Sequence, residues 1–157
     1  MSKITPFLWF DHQAEDAANF YLSIFKNSKI TNIAHYGKSA EAVTGKKAGE
    51  VMTVSFELGG QKFTALNGGP HFTFSPAISF MIDCTDQEEV DYYWEKLSDG
   101  GEPGQCGWLT DKFGVSWQVV PRILGDLMSS ADPKKAEQVM AEMLKMTKID
   151  IEKLKNA

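Results

Sequence analysis

Two stretches decide the fold: Ile4-Thr5-Pro6-Phe7-Leu8-Trp9-Phe10-Asp11 and Ala77-Ile78-Ser79-Phe80-Met81-Ile82-Asp83-Cys84. Each is an apolar run ended by polar residues, which reads as a buried strand. Each is followed by a helical pattern. At a spacing of about 73 residues, Phe7-Leu8-Trp9 matches Phe80-Met81-Ile82, Glu15-Asp16-Ala17 matches Glu88-Glu89-Val90, and Phe20-Tyr21 matches Tyr93-Trp94. Matches in one common register are the mark of an internal duplication.

Working outward, each half reads strand, helix, strand, strand, strand. In the first half a helix runs from Asp11-His12-Gln13 to about Phe25, with Ala17, Phe20, Tyr21, Ile24 and Phe25 on one face. A strand is expected over residues 30–36, followed by a mobile loop from Gly37 to Glu50. Strands at Val51–Leu58 and Lys62–Leu66 meet at Gly59-Gly60, the signature of a tight hairpin. In the second half Thr85 and Glu88 have capping-box spacing, opening a helix that ends near Leu97. Short strands follow at residues 102–105 and 108–112, and a last one at Val115–Pro121. Asp132-Pro133 then starts a tail helix whose Val139, Met140, Met143 and Leu144 form an apolar stripe, and a short amphipathic piece, Ile149–Leu154, ends the chain. A methionine-rich stripe of this kind more often docks on its own core or a dimer mate than on a foreign partner. The expected architecture is α+β, two βαβββ modules in a single domain, 1–157. Module one spans 1–70, module two 76–121 and a helical tail 122–157.

Composition removes several classes of function. The chain has 157 residues, 43% hydrophobic and 24% charged, with net charge −5, so it is an ordinary folded domain rather than a disordered or fibrous chain. The acidic balance and the lack of any basic block speak against a nucleic-acid groove or an anionic membrane surface. No uncharged stretch reaches the roughly 18 residues of a membrane helix, and Met1–Pro6 lacks the apolar core of a signal peptide. Cys84 and Cys106 are too few for a metal knuckle and suit buried thiols in a reducing compartment. A cytoplasmic protein is expected.

The duplicated unit resembles the vicinal-oxygen-chelate superfamily, which holds glyoxalase I, ring-cleaving dioxygenases and bleomycin- and fosfomycin-resistance proteins. More narrowly, Ile4–Asp11, Ala65–Pro70, Ser75–Phe80, Asp86–Trp94, Cys106–Leu109 and Asp111–Gln118 are similar to the PhnB-like group, whose members often carry the label 3-demethylubiquinone-9 3-methyltransferase. The similarity is expected to run through nearly the whole chain, tail included. It implies modules with helices outside and sheets curled around a cavity, and a homodimer. It also implies, for the superfamily's enzymes, a divalent metal held by His and Glu near four points on the first and last strands of each half. There the metal would act as a Lewis acid on two adjacent substrate oxygens.

Carried onto this chain, those points fall at Pro6 or Phe7, Thr64 to Leu66, Ala77 and Gln118, none of them His, Asp or Glu. No metal site and no cofactor are therefore predicted at the usual positions. Strand alternation turns Ile78, Phe80 and Ile82 toward the helix, and Ala77, Ser79 and Met81 toward the cavity. Ser116 and Gln118 point the same way on the last strand. His12, His35 and His71 lack the spacing of paired ligands on a helix. His71 or His35 would nevertheless be the residues of a relocated metal site. Gly59-Gly60, Gly68-Gly69 and Gly100-Gly101 lack the strand–GxGxxG–helix setting by which a doubly wound fold binds S-adenosylmethionine. Cys106 has no basic neighbour in sequence to activate its thiol. The candidate ligand-binding residues are Phe10, Asn67, His71, Ser79, Cys106, Trp108 and Gln118, an apolar wall with a few fixed polar groups. Two functions follow: a metal-free small-molecule binding protein, or an enzyme, either of the methyltransferase kind or with a relocated metal.

Overall fold

Leu8 and Phe10 alternate with Phe7 and Trp9 along β1 (Phe7–Phe10), and the alternation decides which way the strand faces. Leu8 and Phe10 are buried, whereas Phe7 is 61% exposed. Helix α1 (Ala14–Ile24) turns Ala14, Ala17, Ala18, Tyr21 and Ile24 inward. Then come β2 (Lys29–His35), a short helix α2 (Glu41–Thr44), β3 (Val51–Leu58) and β4 (Gln61–Asn67). The computed structural model describes residues 2–157. It divides into two units, Met1–Thr73 and Phe74–Ala157.

In the first unit the strands pair in the order β1-β4-β3-β2, with β1 parallel to β4 and the rest antiparallel. Tyr21 of α1 stacks on Phe56 of β3, and Phe56 on Phe63 of β4. The buried row Leu8, Phe10, Val54, Phe56, Phe63 and Ala65 is therefore the helix side of the sheet. Gly59 and Gly60 turn the β3–β4 hairpin with both φ angles positive, as a two-residue turn matched to strand twist requires. The segment from Gly37 to Glu50 is not simply the loop expected of it. Residues 38–40 form a 3₁₀ turn that leads into α2, and the Thr44 hydroxyl donates to the Ala40 carbonyl. The segment buries no side chain in its helical turns, and so leaves no apolar period to read.

The second unit repeats the plan with β5 (Ser79–Cys84), α3 (Gln87–Ser98), β6 (Glu102–Pro103), β7 (Trp108–Thr110) and β8 (Ser116–Pro121). Its strand order is β5-β8-β7-β6. Here Phe80, Leu109, Trp117 and Val119 fill the helix side beneath Val90 and Leu97 of α3. The duplication has one slip. Leu8 pairs with Ala65 and Phe10 with Asn67, as Ile82 pairs with Val119 and Cys84 with Pro121. The first strands therefore correspond one residue out of step with the expected Phe7-to-Phe80 alignment, while the helices keep that alignment, Ala17 with Val90 and Ile24 with Leu97. A one-residue slip reverses every side chain of a strand, and burial decides in favour of Leu8 with Ile82. The capping box also moves by one residue. Asp86, extended at the helix start, accepts from the Glu89 N–H, and the Glu89 carboxylate accepts from the Thr85 N–H. Aspartate at the cap supplies a charged acceptor that a threonine lacks.

The tail forms α4 (Arg122–Met128), α5 (Pro133–Met143) and α6 (Ile151–Lys155). Asp132 caps α5 by accepting from the Lys134 N–H, with Pro133 in the first turn, as its sequence predicts. Val139, Met146, Ile149 and Leu154 make a small core of their own, joined by Leu124, Leu127 and Met143. Part of the expected stripe, Val139 and Met143, thus packs within the chain, while Leu144 stays exposed. The Gln87 side chain ties this core to α3, donating to the Ile149 carbonyl and accepting from the Ile151 N–H. Lys148 and Asp91 pair at 2.8 Å beside it.

Cys84 and Cys106 are both free thiols. Burial, with the carboxylates of Glu89, Asp83 and Asp86 nearby, pushes the Cys84 thiol from its ordinary value of 9.0 up to about 12. Unfolding releases that restraint. Between about pH 9 and 12 the unfolded chain thus binds fewer protons than the folded one, so Cys84 lowers stability as pH rises through this window. Urea titrations from pH 7 to 10.5 should show this fall, smaller in Cys84→Ala. At pH 8 iodoacetamide should label Cys106 well before Cys84; equal rates would contradict the buried, protonated assignment.

Candidate functional site

On the far side of the second sheet from α3, the pairing sets two rows of side chains. Ser79, Ser116 and Thr110 form one row, and Met81, Gln118 and Trp108 the next. No member of either row carries a charge. The Gln118 side chain crosses between the rows, and its amide N–H donates to the Ser79 hydroxyl at 2.9 Å. Ser116 lies between Ser79 and Thr110, only 3% exposed. Its hydroxyl has no hydrogen-bond partner among the described residues. Met81 is 63% exposed and supplies apolar surface, with Trp108 half-buried across from it. Asp83, the next residue of β5 on this side, is paired with Arg122 at 2.9 Å.

The structure distributes the remaining sequence-predicted residues differently. Asn67 sits on the helix side of the first sheet, and both ends of its carboxamide are engaged. The side-chain oxygen accepts from the Ala14 N–H at 2.8 Å, and the amide donates to the Val51 carbonyl. The Tyr36 hydroxyl donates to the Asn67 carbonyl at 2.6 Å. Gln13, at the start of α1, makes no cap bond of its own, so Asn67 caps the helix from a distant strand. Phe10 is buried beside it in the core of the first unit. His71 is exposed and lies edge-on to Trp9, 6.5 Å between ring centres. Trp9 is fixed: its indole N–H donates to the Gly69 carbonyl, and its ring covers Gly68, where a Cβ would lie 2.3 Å away. Cys106 faces the tail. Its N–H donates to the Met146 carbonyl and its thiol to that of Met143. Of the seven candidates, Ser79, Gln118 and Trp108 share one surface.

The metal positions can now be read from register. Phe7 pairs with Thr64 in the first sheet, and Met81 with Gln118 at the corresponding place in the second. Ala77 lies in a turn before β5 rather than in the strand, so Met81 takes the place expected of Ala77. Phenylalanine, threonine, methionine and glutamine offer no imidazole or carboxylate, and neither pair fits a hard divalent ion. Among the described residues no group of three His, Cys, Asp or Glu is placed to hold a metal. His12 lies 3.5 Å from the Asp11 carboxylate, and His35 ends β2 in an exposed position. Of the glycine pairs, Gly59-Gly60 is a hairpin turn, Gly68 lies under Trp9, and Gly100-Gly101 follows α3.

Two βαβββ units of like topology, with helices on one side of each sheet, define the glyoxalase-like fold of the vicinal-oxygen-chelate superfamily. Within it the chain belongs to the PhnB-like family, whose model bears the description 3-demethylubiquinone-9 3-methyltransferase and matches residues 2–120. The PhnB protein of Bacillus cereus is similar at 37% identity and a TM-score of 0.67, over 76% of this chain and 99% of that one. A Pseudomonas aeruginosa protein shares the fold at 18% identity and a TM-score of 0.61, over 77% of this chain and 98% of its own. So does an Arabidopsis thaliana gene product, at 19% and 0.51, over 76% and 98%. A search of the curated proteins finds no match. The family match stops at residue 120, so the likeness does not extend through the tail as expected; residues 121–157 lie outside it.

Sequence reading missed Thr110 as a member of the far face, and counted Ser116 only as one of several inward polar groups. Strand alternation placed Ser116 correctly, but an unmet hydroxyl is a property of neighbours, which no local pattern reveals.

Proposed function

We propose that this chain is a small-molecule-binding protein of the glyoxalase fold that holds its ligand without a metal, on the far face of the second sheet. The observation that carries this reading is the Gln118–Ser79 hydrogen bond, set beside exposed Met81 and half-buried Trp108. A neutral carboxamide stands where a chelating enzyme needs an anionic or imidazole ligand. An apolar wall with a few positioned polar groups is the usual make-up of a small-molecule site. Methyl transfer is supported by the family description alone, and by no glycine-rich turn of the kind that grips the donor.

Titration calorimetry with S-adenosylmethionine and S-adenosylhomocysteine tests the choice between binding and methyl transfer. The expected result is no saturable heat up to about 1 mM, an affinity weaker than roughly 4 kcal/mol. Micromolar binding of either compound would overturn the reading in favour of the enzyme. The same proposal carries a homodimer and a cytoplasmic location. The dimer rests on the superfamily resemblance and is checked by light scattering. The location is supported by two free cysteines and by the lack, among the described residues, of a helix long and apolar enough to cross a membrane.

A further inference from the structure

The polar rows of the second sheet also constrain what the ligand is, provided the binding reading above holds. Six side chains occupy the two central rows, Ser79, Ser116, Thr110, Met81, Gln118 and Trp108, and none is charged. The neighbouring carboxylate, Asp83, is already matched by Arg122. An ionised ligand group placed here would lose its hydration and meet no counter-charge, a large cost. A neutral oxygen faces no such penalty. The Ser116 hydroxyl is buried with no partner among the described residues, and a buried donor without an acceptor is itself costly. Gln118 reaches across to Ser79 over this row, and its amide has a second N–H beyond the one given to Ser79.

We infer that the far face of the second sheet takes an uncharged molecule with an apolar body and a hydrogen-bond-accepting oxygen, a ketone, quinone or amide carbonyl. The oxygen accepts from the second N–H of the Gln118 amide, the first being given to the Ser79 hydroxyl. The body lies on Met81 and Trp108. Carboxylates, phosphates and phosphonates are disfavoured on these rows, which carry no cation, the neighbouring Arg122 being paired with Asp83.

Three probes of one size separate the contributions: acetophenone, ethylbenzene and benzoate, titrated into the isotope-labelled full chain and followed by nuclear magnetic resonance. Acetophenone is expected to shift the signals of Met81, Trp108 and Gln118, and to bind about five- to tenfold more tightly than ethylbenzene. Benzoate should be weaker than both. Gln118→Leu should shrink the ketone's advantage over ethylbenzene, whereas Ser116→Ala, at a hydroxyl closed off from the face, should leave that advantage unchanged. Retained signal dispersion in either variant reports that the fold persists. If benzoate binds as tightly as acetophenone, or the ketone's advantage survives Gln118→Leu, the neutral-oxygen inference fails and the binding surface stands. If none of the probes perturbs Met81, Trp108 or Gln118, the binding reading fails and the inference with it.

Discussion

Asp111→Ala lowers the unfolding free energy of the second unit by about 3 kcal/mol, read from the urea midpoint at constant slope. Asp111 is 3% exposed and sits in the turn between β7 and β8. One carboxylate oxygen accepts from the Phe113 N–H at 2.8 Å and the Val115 N–H at 3.0 Å; the other accepts from the Trp117 indole N–H at 2.9 Å. Alanine removes both acceptor oxygens, and with them three hydrogen bonds, and leaves donors in a buried place, where each unmet one costs about 1–3 kcal/mol. Asp111→Asn discriminates between this account and simple loss of volume. An asparagine keeps one accepting oxygen, but its NH₂ must then face either the indole N–H or the two backbone N–H groups, donor against donor. It is therefore expected to cost about 2 kcal/mol despite its matching shape. An Asn variant as stable as the parent would show that the carboxylate does not organise the turn.

Gly101→Ala is expected to cost about 3 kcal/mol as well, for a steric reason. A Cβ at Gly101 would lie 2.2 Å from the Thr110 carbonyl oxygen and within 2.9 Å of the Asp111 backbone. These are main-chain atoms at the end of β7, and they yield only if the loop after α3 lifts off. Lifting it breaks the Gly101 N–H bond to the Ser98 carbonyl. Gly125→Ala is the control. Nothing lies within 4 Å of its added Cβ, and it sits inside α4. Alanine there should raise stability by about 0.5–1 kcal/mol through helix propensity. Equal effects at the two glycines would contradict the close-approach argument.

Much of this fold is legible in the sequence because its signals are local and periodic. Val51–Leu58 alternates cleanly, Gly59-Gly60 turns the hairpin, and Asp132-Pro133 opens α5. What escapes is set by distant partners. Helix α4 lies within the expected helical tail, 122–157, but was not marked out as an element, though Ile123, Leu124, Leu127 and Met128 have helical spacing; a stretch this short gives a weak signal beside Pro121. The phase of β1 against β5 cannot be taken from apolar residues on both faces of each strand. Burial beneath the helices settles it. Asn67 looked like a site residue because it is polar and precedes a glycine turn. It is engaged instead in capping α1 from another strand, a role that needs a tertiary contact. On the far face of the second sheet, period-two alternation predicted the common direction of Ser79, Met81, Ser116 and Gln118, and the pairing of β5 with β8 puts them side by side.

The central proposal is a metal-free binding protein, and it rests on two strand pairs, Phe7 with Thr64 and Met81 with Gln118, that carry no imidazole or carboxylate. Elemental analysis of untagged protein tests it most directly, after purification without chelator and brief exposure to Mn, Fe, Ni and Zn. The account predicts bound metal far below one equivalent per chain for each ion. One equivalent per chain, lost on His71→Ala or His35→Ala, would contradict it and restore oxygen-chelate chemistry at a relocated site.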